Sequence, residues 1–400
     1  MHRQTTKFGG AICLMISIRT MKKELLRVCI IMLLTTGLIA CRNELSFQTI
    51  PNVQIDCAVS YELLQKANEP CFFEFTDSTG HLFCRDKRAE IKLHGNSTAD
   101  CPKRSFTLKL SQNQALCSMP KSKKWILLAN DLDSTLLRNA LAFRMAEQAN
   151  LEWTPHSRFV KLFYNGTNKG LYQLCEKVEA ESHRVDIAQD GWLIEIDARI
   201  TESDSYFRTA YMENPFRVKY PDKNISVQRI EQLHAFFQQA EDVLFGENFT
   251  DSIDGWRKYL DEDSWIDWFL INEIAKNNDA IFFSSCYMHS GKDGRIVMGP
   301  VWDFDLGYGN TAYNNCDSPI GWHVRTSAWY MRLFEDPVFA QKARSRFQFF
   351  YSNRANYYSF IRRRASLLHP HTNHNVSYMD GIDTLLSWLD QRFAWLNNNL

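Results

Sequence analysis

Residues 276–310, KNNDAIFFSSCYMHSGKDGRIVMGPVWDFDLGYGN, join chemistry and architecture in one stretch. The apolar run 281–288 predicts a strand, Ser290-Gly291-Lys292-Asp293-Gly294 reverses the chain, and 295–298 begins the return strand. Such a hairpin brings Asp279 at one open end to face Asp303 and Asp305 at the other. Asp303-Phe304-Asp305 has the period of a strand, so both carboxylates share one face and Phe304 takes the other. Two carboxylates on one face repel unless a proton or a cation lies between them. Magnesium takes ligands of this kind, commonly one or two carboxylates with waters and a substrate's phosphates. A D-x-D at a strand end also occurs as a plain capped turn, and the motif alone leaves both readings open.

Upstream, the pattern is that of a sheet. The segments 53–59, 71–77, 81–86, 89–95 and 105–110 (VQIDCAV, CFFEFTD, HLFCRD, AEIKLHG, SFTLKL) read as strands separated by polar or glycine turns, and an antiparallel sheet is the economical arrangement. Lys103, Arg104 and Lys109 fall near the loop His94-Gly95-Asn96-Ser97-Thr98, as cations do where a nucleotide phosphate is held. A solvated strand edge is the competing reading for them. Residues 125–129 predict another strand, Asp133-Ser134 the cap of a helix with Leu137, Leu141 and Met145 inward, and 158–174 a hairpin turning at Asn165-Gly166. Further on, 192–196 and 211–220 read as strands. Helices are expected at 226–245, at 265–275 capped by Asp263-Ser264, at 329–334, 337–352 and 356–368, and at 380–396. Helix 265–275 is so rich in Trp, Ile, Phe and Leu that it must be buried, and it delivers the loop carrying Asp279.

Three blocks together resemble the atypical kinases of the spore coat protein H (CotH) family: IKLHGNSTADCPKRSFTLKL at 91–110, the 123–179 segment with its W-x-L-L-A-N, L-R-N-x-L-A-F and G-L-Y-x-L-x-E-K runs, and MGPVWDFDLGYGN at 298–310. The resemblance implies that Asp303 and Asp305 bind the metal and that Asp279, in its Asn277-Asn278-Asp279 context, attends to the acceptor hydroxyl. It places Lys103 and Lys109 in the nucleotide region. It gives Arg138, Glu176 and Lys177 either nucleotide or lysine positioning, or a structural ion pair. His94 stands where arginine is usual, and arginine grips a phosphate bidentately where neutral histidine offers one donor. Tyr164 replaces a leucine. Ser284 and Ser285 fall where the family often has asparagine, a better magnesium ligand.

The N-terminus has its own signal. From Met21, a basic start, the apolar run 28–40 and Leu38-Ile39-Ala40-Cys41 match a bacterial lipoprotein signal with lipidation at Cys41; an ordinary signal peptide or a short apolar N-terminal helix is the alternative. Residues 1–20 read as an upstream extension, 42–51 as a tether, and 52–400 as the folded domain. Of 11 cysteines, Cys13, Cys29 and Cys41 precede the domain, leaving eight that an exported chain could bridge or bury as thiols. No C-x-x-C spacing, Walker P-loop or G-x-S-x-G elbow is present. Lys plus Arg and Asp plus Glu both number 46, a balance that argues against nucleic acid as the main partner.

The expectation is thus an α+β, atypical protein-kinase-like bilobal fold with a sheet-rich N-terminal lobe to about residue 179 and a helical C-terminal lobe. It would be lipid-anchored at the cell envelope and transfer phosphate from ATP, with Mg2+, to Ser or Thr of a protein acceptor. The alternative is a non-catalytic surface lipoprotein that binds a polysaccharide or envelope protein, with Trp322, Trp329, Tyr308 and Tyr313 as its aromatic platform.

Overall fold

The computed structural model describes residues 49–95, 97–149, 151–221, 225–372 and 376–400. Cys41 and the signal segment lie outside these residues, as does most of the tether. The unit from Pro51 to Leu400 is compact. Among the described residues, no helix is long and apolar enough to cross a membrane.

Seven strands build the N-terminal part: β1 (Asn52–Cys57), β2 (Glu69–Thr76), β3 (Leu82–His94), β4 (Ser105–Gln114), β5 (Ser122–Leu128), β6 (Ser157–Tyr164) and β7 (Thr167–Glu176). Alternation drives them, as in β1, where Val53, Ile55 and Cys57 turn inward between less buried neighbours. The expected antiparallel sheet is instead a closed barrel in the order β1-β2-β3-β4-β5-β7-β6. Closure comes from a parallel pairing, Asn52 with Lys161 through Ile55 with Tyr164, which abolishes both sheet edges. The two strands expected at 81–86 and 89–95 are one 13-residue strand. Its register against β2 shifts between Cys71 opposite Ala89 and Phe73 opposite Asp86, a bulge that absorbs the extra residue without ending the strand.

The Asn165-Gly166 turn has φ of 47° and 73°, the left-handed pair that a two-residue hairpin needs. The Asn165 side chain also ties the hairpin to β1, accepting from Cys57 N at 2.8 Å and donating to Cys57 O at 2.9 Å. Between β5 and β6 lies α1 (Arg138–Ala149), which begins later than the Asp133-Ser134 cap predicts. Asp133 instead organises a preceding turn by accepting from the backbone N–H groups of Thr135 and Arg138.

A second sheet has the order β12-β11-β8-β10-β9, made of β8 (Leu193–Ile196), β9 (Tyr206–Phe207), β10 (Phe216–Tyr220), β11 (Cys286–Ser290) and β12 (Ile296–Met298). The expected hairpin is present, but its first strand starts only at Cys286. Residues 281–285 turn, with Phe282 and Ser285 in the left-handed region. Phe282 does not alternate in a ladder. Its ring stacks on Trp268 at 5.9 Å and on Tyr330 at 5.8 Å, and core packing overrides the local strand preference.

The C-terminal part is helical: α2 (Val227–Leu244), α3 (Glu262–Ala275), α4 (Ala328–Leu333), α5 (Pro337–Leu368) and α6 (Val376–Asn399). α3 is buried all round, as its composition requires. Its cap is Asp261, which accepts from Ser264 N at 3.0 Å, rather than the Asp263-Ser264 pair. The two acids buried in α3 are both paired, Asp267 with Arg346 at 2.6 Å and Glu273 with Arg392 at 2.6 Å. The two helices expected at 337–352 and 356–368 are one continuous helix of 32 residues, because nothing in Ser352-Asn353-Arg354-Ala355 interrupts it. The architecture is mixed α+β, with strands early and helices late. The eight cysteines from Cys57 to Cys316 are free thiols, six of them buried, so the bridged reading is not realised here.

Candidate active site

A cleft of about 420 Å³ opens between the barrel and the second sheet. Two loops bring acids to it. The first follows α3: Lys276 caps the helix in the left-handed region, and a 3-10 turn carries Asp279, which is 8% exposed. Asn278 Nδ2 donates to Asp279 Oδ1 at 2.8 Å. Burial raises the proton affinity of Asp279, and the Asn278 bond opposes that rise.

The second loop carries Asp303 and Asp305. Asp303 has φ of 65°, so 303–305 is not the short strand expected. A turn closed by Gly307 N to Phe304 O produces the same segregation: Phe304 is fully buried against Tyr308, and both carboxylates line the cleft. Ser285 Oγ donates to Asp303 Oδ2 at 3.2 Å, and Asn277 Nδ2 to Asp303 O at 3.2 Å. Burial, then the Asp305 and Asp279 charges, push the Asp303 carboxyl well above the usual range. Burial, then Asp279 and Asp133, raise Asp305 to about 6. Carboxylates crowded in this way favour a cation between them. The donors are all oxygen, which suits magnesium. Among the described residues no group of three or more His, Cys, Asp or Glu could hold a metal unaided, and a magnesium ion completed by waters and substrate phosphates needs only two carboxylates.

From the barrel come Lys103 and, just past β7, Lys177. Lys103 Nζ donates to Ala129 O at 2.9 Å and to Leu171 O, lies 4.6 Å from the Tyr172 ring centre, and is lowered by burial to about 8. Lys177 Nζ bonds Glu179 at 2.9 Å; burial lowers its pKa while Glu179 opposes. His94 lines the cleft beside Thr107, its Nδ1 3.1 Å from Thr107 Oγ1. Burial, with Lys177 and Lys219 nearby, holds it neutral with a pKa of about 4.

Four other charged residues singled out in the sequence do not line the cleft. Arg104 donates to Leu64 O at 3.1 Å. Lys109 pairs with Glu90 at 2.8 Å on the partly exposed faces of β3 and β4. Glu176 is buried and bonds His156 N at 3.0 Å and Nδ1 at 2.8 Å. Arg138 is buried against Asp133 and donates to Gly307 O at 3.1 Å. Its neighbour Asn139 accepts from Phe304 N at 2.8 Å, so the start of α1 braces the Asp303–Asp305 loop from behind.

The second sheet supplies polar groups that the sequence reading missed. Glu195 and Asp197 on and after β8, and Arg217 and Lys219 on β10, all face the cleft. Lys219 bonds Glu195 at 2.8 Å, and Arg217 lies 3.5 Å from Asp197. Their period-two spacing in Ile194-Glu195-Ile196-Asp197 and Arg217-Val218-Lys219 was the available signal. Asp197 also accepts from Ser284 Oγ at 3.1 Å, and Arg199 Nη1 reaches Ser284 Oγ at 3.4 Å. The two serines that replace the usual asparagine thus tie the Asp279 loop to Asp197 and to Asp303. Of the four aromatics, Trp329 and Tyr308 are core, Trp322 is half-buried against Trp395, and Tyr313 is exposed.

The barrel, the second sheet and, between them, a cleft of opposed aspartates and lysines define a mixed α+β protein built around a polar site. The chain belongs to the CotH kinase family: the model for CotH kinase protein matches residues 91–395, most of the sequence. Membership carries a kinase-like function, with ATP, magnesium and a protein substrate as the reactants of such families in general. No curated protein matches the sequence significantly.

Proposed function

We propose that this protein transfers the γ-phosphoryl group of ATP to a Ser or Thr hydroxyl of an exported or envelope protein, the barrel and the helical part acting as the two lobes of a kinase-like fold. The observation that carries the reading is Asp279, buried in the cleft with Oδ1 held by Asn278, beside the Asp303–Asp305 pair. Asp279 orients the acceptor hydroxyl and takes its proton as the hydroxyl oxygen bonds to the γ-phosphorus and the bond to the ADP oxygen breaks. Its desolvated carboxylate is a stronger base than one in water, which suits the task. Asp303 and Asp305 would hold magnesium, which when bound supplies charge neutralisation across the phosphates. Lys103 and Lys177 lie on the barrel side, where their ammonium groups can meet the polyphosphate; Lys109, Arg138 and Glu176 act as structural pairs. Cys41 would anchor the chain by lipid to the cell envelope.

Titration of residues 42–400 with ATP and magnesium by calorimetry, beside Asp303→Ala, tests the reading. Magnesium-dependent binding that disappears in the variant supports it. A folded wild-type domain that does not bind refutes it.

A further inference from the structure

The loop 310–326 packs against the Asp279 loop, and two buried cations hold it there. Lys276 Nζ donates to three of its carbonyls, Asn315 at 2.7 Å, Ser318 at 3.0 Å and Ile320 at 2.9 Å. Arg392, fully buried on α6, donates to Pro319 O at 2.9 Å and Gly321 O at 2.8 Å while pairing with Glu273 of α3. Backbone carbonyls fixed by charged donors make a stiff loop. Asn314 and Asn315 sit in succession at φ of 53° and 57°, a conformation asparagine tolerates but does not seek. The staples hold the chain in that shape, and its effect is to aim one amide. Asn314 Nδ2 donates to Asn278 Oδ1 at 3.0 Å, and Asn278 Nδ2 donates to Asp279 Oδ1 at 2.8 Å.

We propose that Asn314 and Asn278 are positioning residues, a two-amide relay that fixes the Asp279 carboxylate with Oδ1 occupied and Oδ2 turned free for the acceptor hydroxyl. An amide can present either its oxygen or its NH2 group to a neighbour. The ionised Asp279 carboxylate can only accept, so it takes the Asn278 NH2 group, and the Asn278 oxygen left over accepts from Asn314, which pins the amide at its other end. Without Asn314 the Asn278 amide is free to turn. An amide that swings out of line withdraws its NH2 donor and no longer supports the ionised base. The other titratable and charged groups around Asp279 are Arg199 and Asp197 after β8, Cys286 of β11, whose Sγ donates to Asp279 O at 3.6 Å, His323 in loop 310–326, and Asp303 and Asp305 across the cleft. Of the side chains around Asp279, the one bonded to Asn314 is Asn278.

The inference rests on Asp279 as the base, but its test does not need an acceptor or ATP. The full 42–400 chain, labelled with carbon-13 at aspartate carboxyls and free of metal, is titrated by NMR, with Asp279→Asn assigning the resonance. Asn278→Ala is expected to raise the Asp279 midpoint by about one pH unit, since one charge-assisted donor is lost. Asn314→Gly keeps the left-handed backbone and should raise it by a smaller step. A merely structural role would lower the melting temperature without this order. A wild-type Asp279 midpoint in folded Asn314→Gly overturns the relay. The shift can hold while nucleotide binding fails, in which case the relay stands and the kinase reading falls; the reverse pattern separates them the other way.

Discussion

Asp305→Asn should make the metal-free protein more stable at neutral pH while abolishing the metal site. The folded-state pKa of Asp305 is raised to about 6, above the value of about 3.9 for an unperturbed aspartate. The folded state therefore holds this proton more tightly than the unfolded chain does. The stability that the proton confers is complete below about pH 4 and is lost as pH rises through about 6. Two units at 1.36 kcal/mol each give a loss of about 3 kcal/mol by neutral pH. Asparagine carries no charge to desolvate and does not incur that loss. Unfolding roughly 350 residues from Pro51 to Leu400 carries an entropy of about 0.7 kcal/mol per kelvin, so the variant should melt about 4 °C above wild type at pH 7.5 and level with it near pH 4. Scanning calorimetry of both proteins in EDTA across that range makes the comparison. Adding magnesium should then flatten the wild-type profile and leave the variant unchanged. If the two melting curves stay a constant distance apart at every pH, Asp305 does not carry this proton and the crowded-carboxylate account of the site fails.

Asp279→Asn should lower the phosphoryl-transfer rate by about 10²- to 10⁴-fold while leaving magnesium–ATP affinity near wild type; equal losses in both would assign Asp279 to nucleotide binding instead. Arg392→Leu leaves Glu273 buried without its partner and releases the carbonyls of loop 310–326, so it should cost about 3–5 kcal/mol in denaturant unfolding, and a cost under about 1 kcal/mol would show the pair to be dispensable. For His156 the hydrogen bond that its ring donates to buried Glu176 raises the folded-state pKa. Its contribution is therefore present below about pH 6.5 and fades as pH climbs past the raised value. His156→Ala should accordingly destabilise more in acid than in alkali; a pH-independent effect would mean the pair acts by packing alone.

Much of the fold could be read locally. The Asn165-Gly166 turn, the apolar α3 with its acids at the start, and the alternating runs of β1 and β4 each follow from a few neighbouring residues and their backbone preferences. Where the reading slipped, distant partners decided. β3 stays one strand because β2 tolerates its bulge. Phe282 leaves the strand because Trp268 and Tyr330 offer it a stack. α5 runs on because no residue between its two expected halves breaks it.

The candidate site divides in the same way. Asp279, Asp303 and Asp305 were legible because opposed acids and a W-D-x-D run carry chemistry within a short span. Lys103, Lys109, Arg138, Glu176 and Lys177 look alike in sequence as polar members of a pattern. Only the tertiary structure separates them: the barrel turns Lys103 and Lys177 into the cleft and Lys109 and Glu176 to pairs elsewhere, and α1 buries Arg138 against Asp133. Glu195, Asp197, Arg217 and Lys219 become visible as site residues only when β8 and β10 pair. Most of the element order, the acidic motifs and the family can be read from neighbouring residues, because turns, helical period and motif order act over a few residues. Tertiary structure decided the barrel closure, the second sheet on the cleft floor and the amide relay behind Asp279, because each joins residues far apart in the chain, and such contacts exist only once the whole core has packed.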